Sequence, residues 1–373
     1  MHKPKILVTA AAGRTGSAAV LQLLAQGFPV RAFVRRRDAR ATRLETAGAE
    51  LFVGDLFDFR HLRRALIGVQ RAYYCPPFAP NLLHGAMLFA LAAEEAKLEV
   101  VALMSQWNPH STHPSVVSRE HWIANQMYRW MPSVDVVHIN PGIFAFVYLL
   151  GLPTIVHFGL LMAPFGVGRN APPSNEDIAR VAVGTLIDPA LHIGKSYRPT
   201  GPELLSTQDM ADILSKILNR RVKYQDTSIA MFARAAKAFG FPEFEISQLR
   251  FYAEDIRHGS FAVGGPTDHV EQVTGQKPEA FEQTARRYIH NPALIHPQLA
   301  RTSKLSALAF LVRMLWSRVP DLDRWERDRA HPLLNHPHLA VDSPEWQATA
   351  QQQQLHLLRL NADRSHELSP LAK

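Results

Sequence analysis

The first 145 residues of this chain alternate between short apolar runs and longer segments with alanine and leucine at helical spacing. The runs are rich in β-branched residues, as strands buried on both faces of a parallel sheet are. Strands that alternate with helices form right-handed βαβ units and a doubly wound parallel sheet, which binds ligands at the carboxyl ends of its strands. The predicted strands are residues 5–10, 29–35, 49–55, 71–77, 99–105 and 134–142.

The stretch VTAAAGRTG, residues 8–16, joins the first predicted strand to the first helix. Gly13 would let the backbone approach a pyrophosphate, and Gly16 would let the helix pack close to the strand. The amino end of that helix supplies unpaired N–H groups and a positive dipole end for phosphates. Ala10 stands where such turns usually have glycine, and alanine fits if the turn has ordinary dihedrals there. The alternative is a plain strand–helix turn with two incidental glycines.

The positive charge of the chain does not indicate nucleic-acid binding. The formal net charge is +8, and residues 1–71 hold 13 Lys and Arg against 5 Asp and Glu, which accounts for the whole excess. That region surrounds the proposed nucleotide turn, where phosphate groups would need positive charge. The sequence has no zinc-finger spacing and no basic tract with interleaved aromatic residues. We therefore expect no nucleic-acid partner.

Cysteine and histidine usage predicts a cytoplasmic protein without a metal site. Cys75 is the single cysteine, so no intramolecular disulfide can form, and the chain enters its first strand without a cleavable signal pattern. His110, His113 and the segment 331–338 raise the question of zinc, but no further cysteine or carboxylate stands at ligand spacing.

Three arginines follow the second predicted strand, at the position where NAD-specific sites place an acidic residue for the ribose 2′-hydroxyl. The guanidinium groups of Arg35, Arg36 and Arg37 suit a 2′-phosphate, and Arg14 in the turn could approach the same phosphate. Asp38 is a rival for the hydroxyl, but it comes after the arginines. The sequence therefore predicts NADP(H) in preference to NAD(H), with a solvated basic loop as the alternative.

These motifs, in this order, resemble the NmrA-like branch of the atypical short-chain dehydrogenases/reductases. The resemblance fades after residue 289 and includes VGDLFD (53–58), LMSQW (103–107), REHWIANQM (119–127), VDVVHINPGIFA (134–145), GRNAPPSNEDIARVAV (168–183) and GKSYRPTGPELLS (194–206). It implies an α/β, Rossmann-like doubly wound parallel sheet that binds NADP(H). A small C-terminal α/β subdomain would close a cleft over the nicotinamide.

The resemblance implies that residues 1–290 divide into two parts, a Rossmann core mainly in 1–145 and 174–200 and a cleft-closing subdomain in 146–173 and 201–290. Beyond them, the residue pattern predicts a helical C-terminal extension in 291–373. The first two parts would form the NAD(P)-binding domain of residues 1–290. The resemblance says nothing about the extension.

By position, the resemblance assigns the cofactor to residues at the carboxyl ends of predicted strands. The predicted cofactor residues are Thr9, Ala10, Gly13, Arg14, Thr15, Gly16, Arg35, Arg36, Asp55, Leu56, Cys75 and Pro76. Asp55 and Leu56 would border the adenine. Cys75 and Pro76 would line the ribose and the nicotinamide.

The sequence departs from the family at the catalytic residues. Short-chain dehydrogenases use a tyrosine and a lysine four residues later, and here His121 takes the tyrosine place and Asn125 the lysine place. Asn125 can hydrogen-bond a ribose but supplies no charge. Ser105 could orient a carbonyl, and His121 could donate a proton to a reduced quinone or carbonyl. The alternative is that His121 is a structural helix residue.

Two functions remain open from the sequence. Hydride transfer is the chemistry of the cofactor, so a pocket that stacks an electrophile on the nicotinamide would suffice. The first prediction is an NAD(P)H-dependent reductase of a small apolar electrophile such as a quinone. The second is a non-catalytic NADP(H) sensor that acts through a protein partner.

Residues 139–168 contain no Lys, Arg, Asp or Glu. Thirty residues would be long enough to cross a bilayer, but prolines and glycines interrupt the stretch and both ends belong to the predicted sheet. We expect the wall of an apolar pocket or an oligomer contact. The residues predicted to face a flat ligand are Phe144, Phe146, Tyr148 and Phe165, with core packing as the alternative for each.

The stretch LSALAFLVRMLW, residues 305–316, is an apolar helix candidate flanked by Lys304 and Arg318. It is too short to span a bilayer, so peripheral contact with a membrane surface is one prediction. The other is that it docks on the main domain or on a second subunit of a homodimer.

Overall fold

The predicted doubly wound parallel sheet is present in the computed structural model, which describes residues 3–296, 299, 303–328 and 336–353. The strands are β1 (Ile6–Val8), β2 (Val30–Val34), β3 (Glu50–Val53), β4 (Arg71–Tyr74), β5 (Val100–Met104), β6 (Asp135–Ile139), β7 (Leu160–Ala163), β8 (Arg169–Asn170), β9 (Ser196–Tyr197), β10 (Leu205–Ser206) and β11 (Lys223–Asp226). Seven of them form one sheet in the order β3-β2-β1-β4-β5-β6-β9, in which every neighbouring pair is parallel. The strand order reverses between β1 and β4, which is where such sheets bind ligands.

Helices cover both faces of this sheet. The helices of the described residues are α1 (Arg14–Ala25), α2 (Ala39–Thr46), α3 (Phe59–Leu66), α4 (Leu82–Ala96), α5 (Val116–Arg129), α6 (Leu152–Phe158), α7 (Asn175–Ile187), α8 (Thr207–Leu218), α9 (Ile229–Phe239), α10 (Glu243–Arg257), α11 (His269–Thr274), α12 (Phe281–His290), α13 (Lys304–Trp316), α14 (Leu322–Asp328) and α15 (Pro344–Gln352). Ile6 and Val8 pack in a core with α1, α2 and α7, whereas Leu7 packs on the other face with α3, α4 and α5. Successive strand residues point to opposite faces, so apolar strands require a layer of helices on each side.

The uncharged stretch 139–168 folds into the sheet and into a second region of the core. It contains the end of β6, a 3-10 turn at Ala145–Leu149, α6 and β7, and β7 pairs in parallel with β11. Leu149 and Ile155 are fully buried there among side chains from α8, α10 and α12. We call this region the subdomain core. No helix of the described residues is long and apolar enough to cross a membrane.

The chain after residue 290 continues from the subdomain core. Ile295 is fully buried in it, and the predicted helix over 305–316 is present as α13, which packs on α6 and α9. Ala307 and Met314 form its buried face. The opposite face exposes Leu305, Leu308, Val312, Leu315 and Trp316. Residues 331–335 of the histidine-containing segment, and 354–373 of the predicted extension, lie outside the described residues.

Candidate functional site

The turn after β1 is built around the carbonyl oxygen of Ala10. This oxygen accepts a hydrogen bond from the Gly13 N–H at 2.7 Å, and a Cβ on Gly16 would stand 2.3 Å from it. The predicted close approach at Gly16 is therefore observed. Ala10 itself has a φ of 46°, in the left-handed region where a Cβ costs about 1–2 kcal/mol. The condition under which alanine would fit without strain, ordinary dihedrals at position 10, is therefore not met.

The amino end of α1 is available to a ligand. Gly13 is its N-cap, and no side chain caps the helix, so its first N–H groups and positive dipole end lie at the carboxyl ends of β1 and β4. Thr9 joins these two strand ends, since its Oγ1 accepts from the Cys75 N–H at 2.8 Å. Thr15 is buried in the first turn of α1, and Pro76 is half-buried beside Cys75. Burial raises the pKa of the Cys75 thiol to about 11, so it is an unreactive thiol at neutral pH.

The three arginines after β2 differ in the ion pairs that they form. Arg35 and Arg36 are exposed, and the Arg36 Nε lies 3.7 Å from an Asp38 carboxylate oxygen. Arg37 forms an ion pair with Glu45. No ion-pair partner of Arg35 is found in the part of the chain that the structure describes. Arg35 is therefore the arginine at this edge that is best placed to accept an anion.

The carboxylates that follow β2 and β3 are both engaged in local structure. Asp38 caps α2, where it accepts from the Arg40 N–H and pairs with the Arg40 guanidinium at 2.7 Å. That hydrogen-bonded guanidinium lowers the pKa of Asp38 to about 2. Asp55 is exposed and accepts from the Phe57 N–H at 3.0 Å, while Leu56 packs against the core beneath β3. Asp38 is thus a poor candidate for the ribose hydroxyl.

Arg14 contacts the chain after residue 290. Its Nε donates to the Ile295 carbonyl oxygen at 2.9 Å, and its Nη2 donates to the same oxygen. Its guanidinium stacks on Phe146, 4.0 Å from the ring centroid. Burial lowers the pKa of Arg14. The predicted contact of Arg14 with a phosphate stays a prediction, and it would require this arginine to share or leave the Ile295 carbonyl.

The three predicted catalytic residues are all buried. Ser105 follows β5 directly, and His121 and Asn125 lie one turn apart on α5. The Ser105 Oγ and the Asn125 Oδ1 have no hydrogen-bond partner among the described residues. Burial lowers the pKa of His121 to about 4, so the imidazole is neutral at pH 7. Its role as a proton donor stays a prediction that requires a bound ligand to raise this pKa.

The four aromatic residues predicted to face a ligand are divided between two parts of the core. Phe144 packs against the sheet, and Phe146 meets it edge-to-face at 5.8 Å beneath the Arg14 guanidinium. Tyr148 and Phe165 contact each other at 5.4 Å and are 2% and 7% exposed in the subdomain core. For these two, core packing is what the structure shows, because α12 fills the space beside them.

A buried cation that the sequence analysis did not single out lies at the same edge of the sheet. Arg198 follows β9 and is 6% exposed. Its guanidinium stacks on the indole of Trp107, 4.6 Å from the ring centroid, and Trp107 lies just beyond β5. The signal in the sequence was a lone arginine directly after a short strand, inside GKSYRPTGPELLS. Ile295, the partner of Arg14, had no such signal.

Comparison with known proteins agrees with the fold described above. An NADPH-dependent quinone oxidoreductase of Escherichia coli, solved in complex with NADPH, superposes with a TM-score of 0.67 at 23% identity. The alignment covers 77% of this chain and 100% of that protein. Residues 2–124 match the sequence profile of the NmrA-like family. This match covers about a third of the chain, and over these residues the chain is similar to the NmrA-like family.

Other proteins similar to this chain include an enzyme and a regulator. An NAD(P)H azoreductase of Xenophilus azovorans is 27% identical over 290 residues, which are 76% of this chain and 97% of the azoreductase. The negative transcriptional regulator NmrA, solved in complex with NADP, has a TM-score of 0.66 at 19% identity and covers 80% of this chain and 98% of its own. These alignments therefore leave about a fifth to a quarter of this chain uncovered.

Proposed function

We propose that this protein is an NAD(P)H-dependent reductase of a small apolar electrophile such as a quinone. The observation that carries the proposal is the amino end of α1, which no side chain caps. It packs against the Ala10 carbonyl at the point where the strand order reverses. Donors at a helix terminus in this position suit a pyrophosphate. A quinone oxidoreductase and an azoreductase among the relatives support the reductase activity.

The residues of this chain fit the nicotinamide half of such a cofactor. A bound nicotinamide would supply the hydride. The Ser105 hydroxyl and the Asn125 amide oxygen are buried without partners among the described residues, and an unsatisfied buried polar group costs about 1–3 kcal/mol. A ribose hydroxyl would donate to the Asn125 oxygen, and the Ser105 hydroxyl would donate to a ribose or carbonyl oxygen. Neutral His121 would donate an N–H hydrogen bond in the same region rather than act as an imidazolium acid.

We infer a preference for NADP(H) over NAD(H) from the edge formed by β2 and β3. Arg35 is exposed and unpaired among the described residues, so it is available to a 2′-phosphate. Asp38, which would favour a 2′-hydroxyl, is already bound by the backbone of α2 and by Arg40. The charge that faces the ribose is therefore positive.

The test is a fluorescence titration of the purified protein with NADPH and with NADH. Replacing Arg35 and Arg36 together with alanine is expected to weaken NADPH binding by about 10- to 100-fold, since a charge-assisted hydrogen bond contributes about 1.5–3 kcal/mol. NADH affinity should change little, because NADH lacks the phosphate. Consumption of NADPH in the presence of a quinone is then followed at the nicotinamide absorbance.

Arg37→Ala is the control, because it removes one arginine charge from the same loop at a position that is already paired with Glu45. It should leave the NADPH affinity nearly unchanged. Equal losses in NADPH and NADH affinity for the double variant would contradict the preference. Failure of the wild-type protein to bind either nucleotide would overturn the proposed function.

A sensor of NADP(H) that acts through a protein partner is the second candidate, and the Arg14 contact favours it. Arg14 connects the first turn of α1 to Ile295, in the part of the chain predicted as an extension. A nucleotide at the turn would compete for this arginine and so affect the segment after residue 290. The sensor would be favoured by two results together. NADPH would bind tightly without being oxidised by a quinone, and its binding would change the conformation of the segment after residue 290.

A further inference from the structure

Arg198 is a buried cation without a counter-ion. No ion-pair partner of it is found in the described part of the chain, and its Nη1 has no hydrogen-bond partner there. Its Nη2 makes a single long hydrogen bond, 3.4 Å to the Trp107 carbonyl oxygen. Burial lowers the pKa of Arg198 to about 10, so it remains charged at neutral pH. A guanidinium has five N–H donors, and most of the capacity of this one is unused.

The position of Arg198 is fixed by its backbone. Its N–H donates to His269 Nδ1 at 2.8 Å, and its carbonyl oxygen accepts from the Thr267 hydroxyl. The guanidinium lies over the ring of Trp107, whose indole N–H donates to the Ser260 carbonyl oxygen at 3.1 Å. The cation is therefore held in place by groups that do not neutralise it.

The two neighbours of Trp107 along the chain also carry unsatisfied buried polar atoms. The loop after β5 runs from Ser105 to Asn108, and both amide atoms of Asn108 and the Gln106 Nε2 lack partners among the described residues. Asn108 is 1% exposed and Gln106 is 7% exposed. Buried polar groups in folded proteins are nearly always paired, so this cluster indicates a polar ligand.

The cluster lies on the substrate side of the sheet. β9, which Arg198 follows, is four strands from β1 in the order β1-β4-β5-β6-β9. At about 4.8 Å between neighbouring strands, Arg198 is about 19 Å from the end of β1, where the cofactor phosphates would bind. The ends of β4 and β5, where the nicotinamide would lie, fall between the two positions. The anion that Arg198 lacks is therefore not a phosphate at the α1 turn.

We infer that Arg198, with Trp107 and Asn108, forms a subsite for an anionic oxygen group on the electrophilic substrate. This inference rests on the proposed reductase function and narrows its substrate class. The acceptor is an apolar, electrophilic ring system that carries a carboxylate, sulfonate or phosphate. The ring lies beside the nicotinamide, and its anionic group reaches past Trp107 to the Arg198 guanidinium. A guanidinium binds such groups with paired N–H donors.

The experiment compares two ligands that share one ring system. Binding of naphthalene-2-sulfonate and of naphthalene-2-methanol is measured by calorimetry on the full chain, without nucleotide and with NADP⁺. The wild-type protein is expected to prefer the sulfonate. Arg198→Met should reduce the ratio of the two affinities by about 10- to 100-fold, the range of a charge-assisted hydrogen bond. Arg198→Lys keeps the charge but not the paired donors, so its affinity ratio should fall between those of the wild type and Arg198→Met.

Arg286→Met is the matched control, because it removes the same charge from an exposed i,i+4 pair with Glu282 on α12. It should leave the affinity ratio unchanged. The melting temperature is recorded for every variant. Arg198→Met is expected to melt at or above the wild-type temperature, since replacing an uncompensated buried charge with an apolar side chain is usually neutral or stabilising.

A wild-type protein that binds the two ligands equally, or a ratio that Arg198→Met leaves unchanged, would overturn the subsite. A large loss of melting temperature in Arg198→Met with an unchanged ratio in Arg198→Lys would show that the arginine only packs on Trp107. NADPH oxidation is then measured with 2-methyl-1,4-naphthoquinone and with 1,4-naphthoquinone-2-sulfonate. Oxidation of NADPH by neither quinone, with the sulfonate preference intact, would refute the reductase and leave the anion subsite standing.

Discussion

Single residues in the first turn decide how the site is shaped. Gly16 is required because the Ala10 carbonyl occupies the place of its side chain. Ala10 is tolerated in the left-handed region because the same carbonyl bonds the Gly13 N–H. The glycines at 13 and 16, standing between a predicted strand and a predicted helix, predicted the turn. The dihedral of Ala10 was not predictable, since alanine by itself favours ordinary values.

Two substitutions in this turn should have opposite effects on stability. Gly16→Ala is expected to lower the free energy of unfolding by about 1–3 kcal/mol, because its Cβ would overlap the Ala10 carbonyl. Ala10→Gly should raise that free energy by less than about 1 kcal/mol, since relief of the strained φ is partly offset by a more flexible unfolded chain. Urea unfolding monitored by circular dichroism measures both. A neutral Gly16→Ala would show that the turn relaxes.

Burial of a single histidine also has a measurable consequence. The folded-state pKa of His121 is lowered to about 4 by burial, against about 6.5 in an unfolded chain. Between these values the unfolded state binds the proton and the folded state does not, so stability is lost as pH falls from 6.5 toward 4 and is constant above 6.5. At pH 5 the loss is roughly 2 kcal/mol.

His121→Gln isolates this effect. Other groups contribute in both directions, and Glu120, whose pKa burial raises to about 7, opposes it. The stability of the wild type relative to His121→Gln should therefore fall between pH 7 and pH 5 in urea titrations. A difference that does not depend on pH would mean that His121 is solvated.

At the scale of elements, local signals placed most helices and strands within a few residues. The predicted strand at 134–142 is observed as β6 at Asp135–Ile139. Ser174 caps α7, where its Oγ accepts from the Asp177 N–H at 3.0 Å. The reciprocal hydrogen bond that would complete a capping box is not found among the described residues. The Asp177 carboxylate accepts from the Glu279 N–H at 2.8 Å instead, because a segment far along the chain packs against that turn.

The helix α13 is apolar on two faces, and only one of them packs on other elements of the described chain. Its inner face packs on α6 and α9, which agrees with the prediction that it docks on the main domain. Its outer face stays exposed in the described residues. Contact of that face with a membrane surface, or with a second copy of the chain, stays a prediction.

Matched substitutions on the two faces of α13 should differ sharply. Leu308→Lys, on the exposed face, is expected to change the free energy of unfolding by less than about 0.5 kcal/mol. Met314→Lys, on the buried face, should lower it by several kcal/mol, because the ammonium group would be buried without a partner. Thermal unfolding of the two variants measures the difference. A comparable loss for Leu308→Lys would show that its face is covered in solution.

At the scale of the whole molecule, the sequence by itself determined the doubly wound sheet and the position of the nucleotide turn. Both depend on local information: strand and helix periodicity, and a strand–turn–helix motif within nine residues. Asp38 and the three arginines were also correctly located at the end of β2, because they follow a strand directly.

Only the tertiary structure decided which of these side chains are exposed to a ligand and which residues each of them contacts. Arg14 meets Ile295 across 281 residues of sequence, and Arg198 meets Trp107 across 91. Such contacts follow from the order of strands in the sheet and from the packing of the subdomain core, which no local pattern encodes. Burial likewise set the charge state of His121, because a pKa depends on the solvent that surrounding elements exclude.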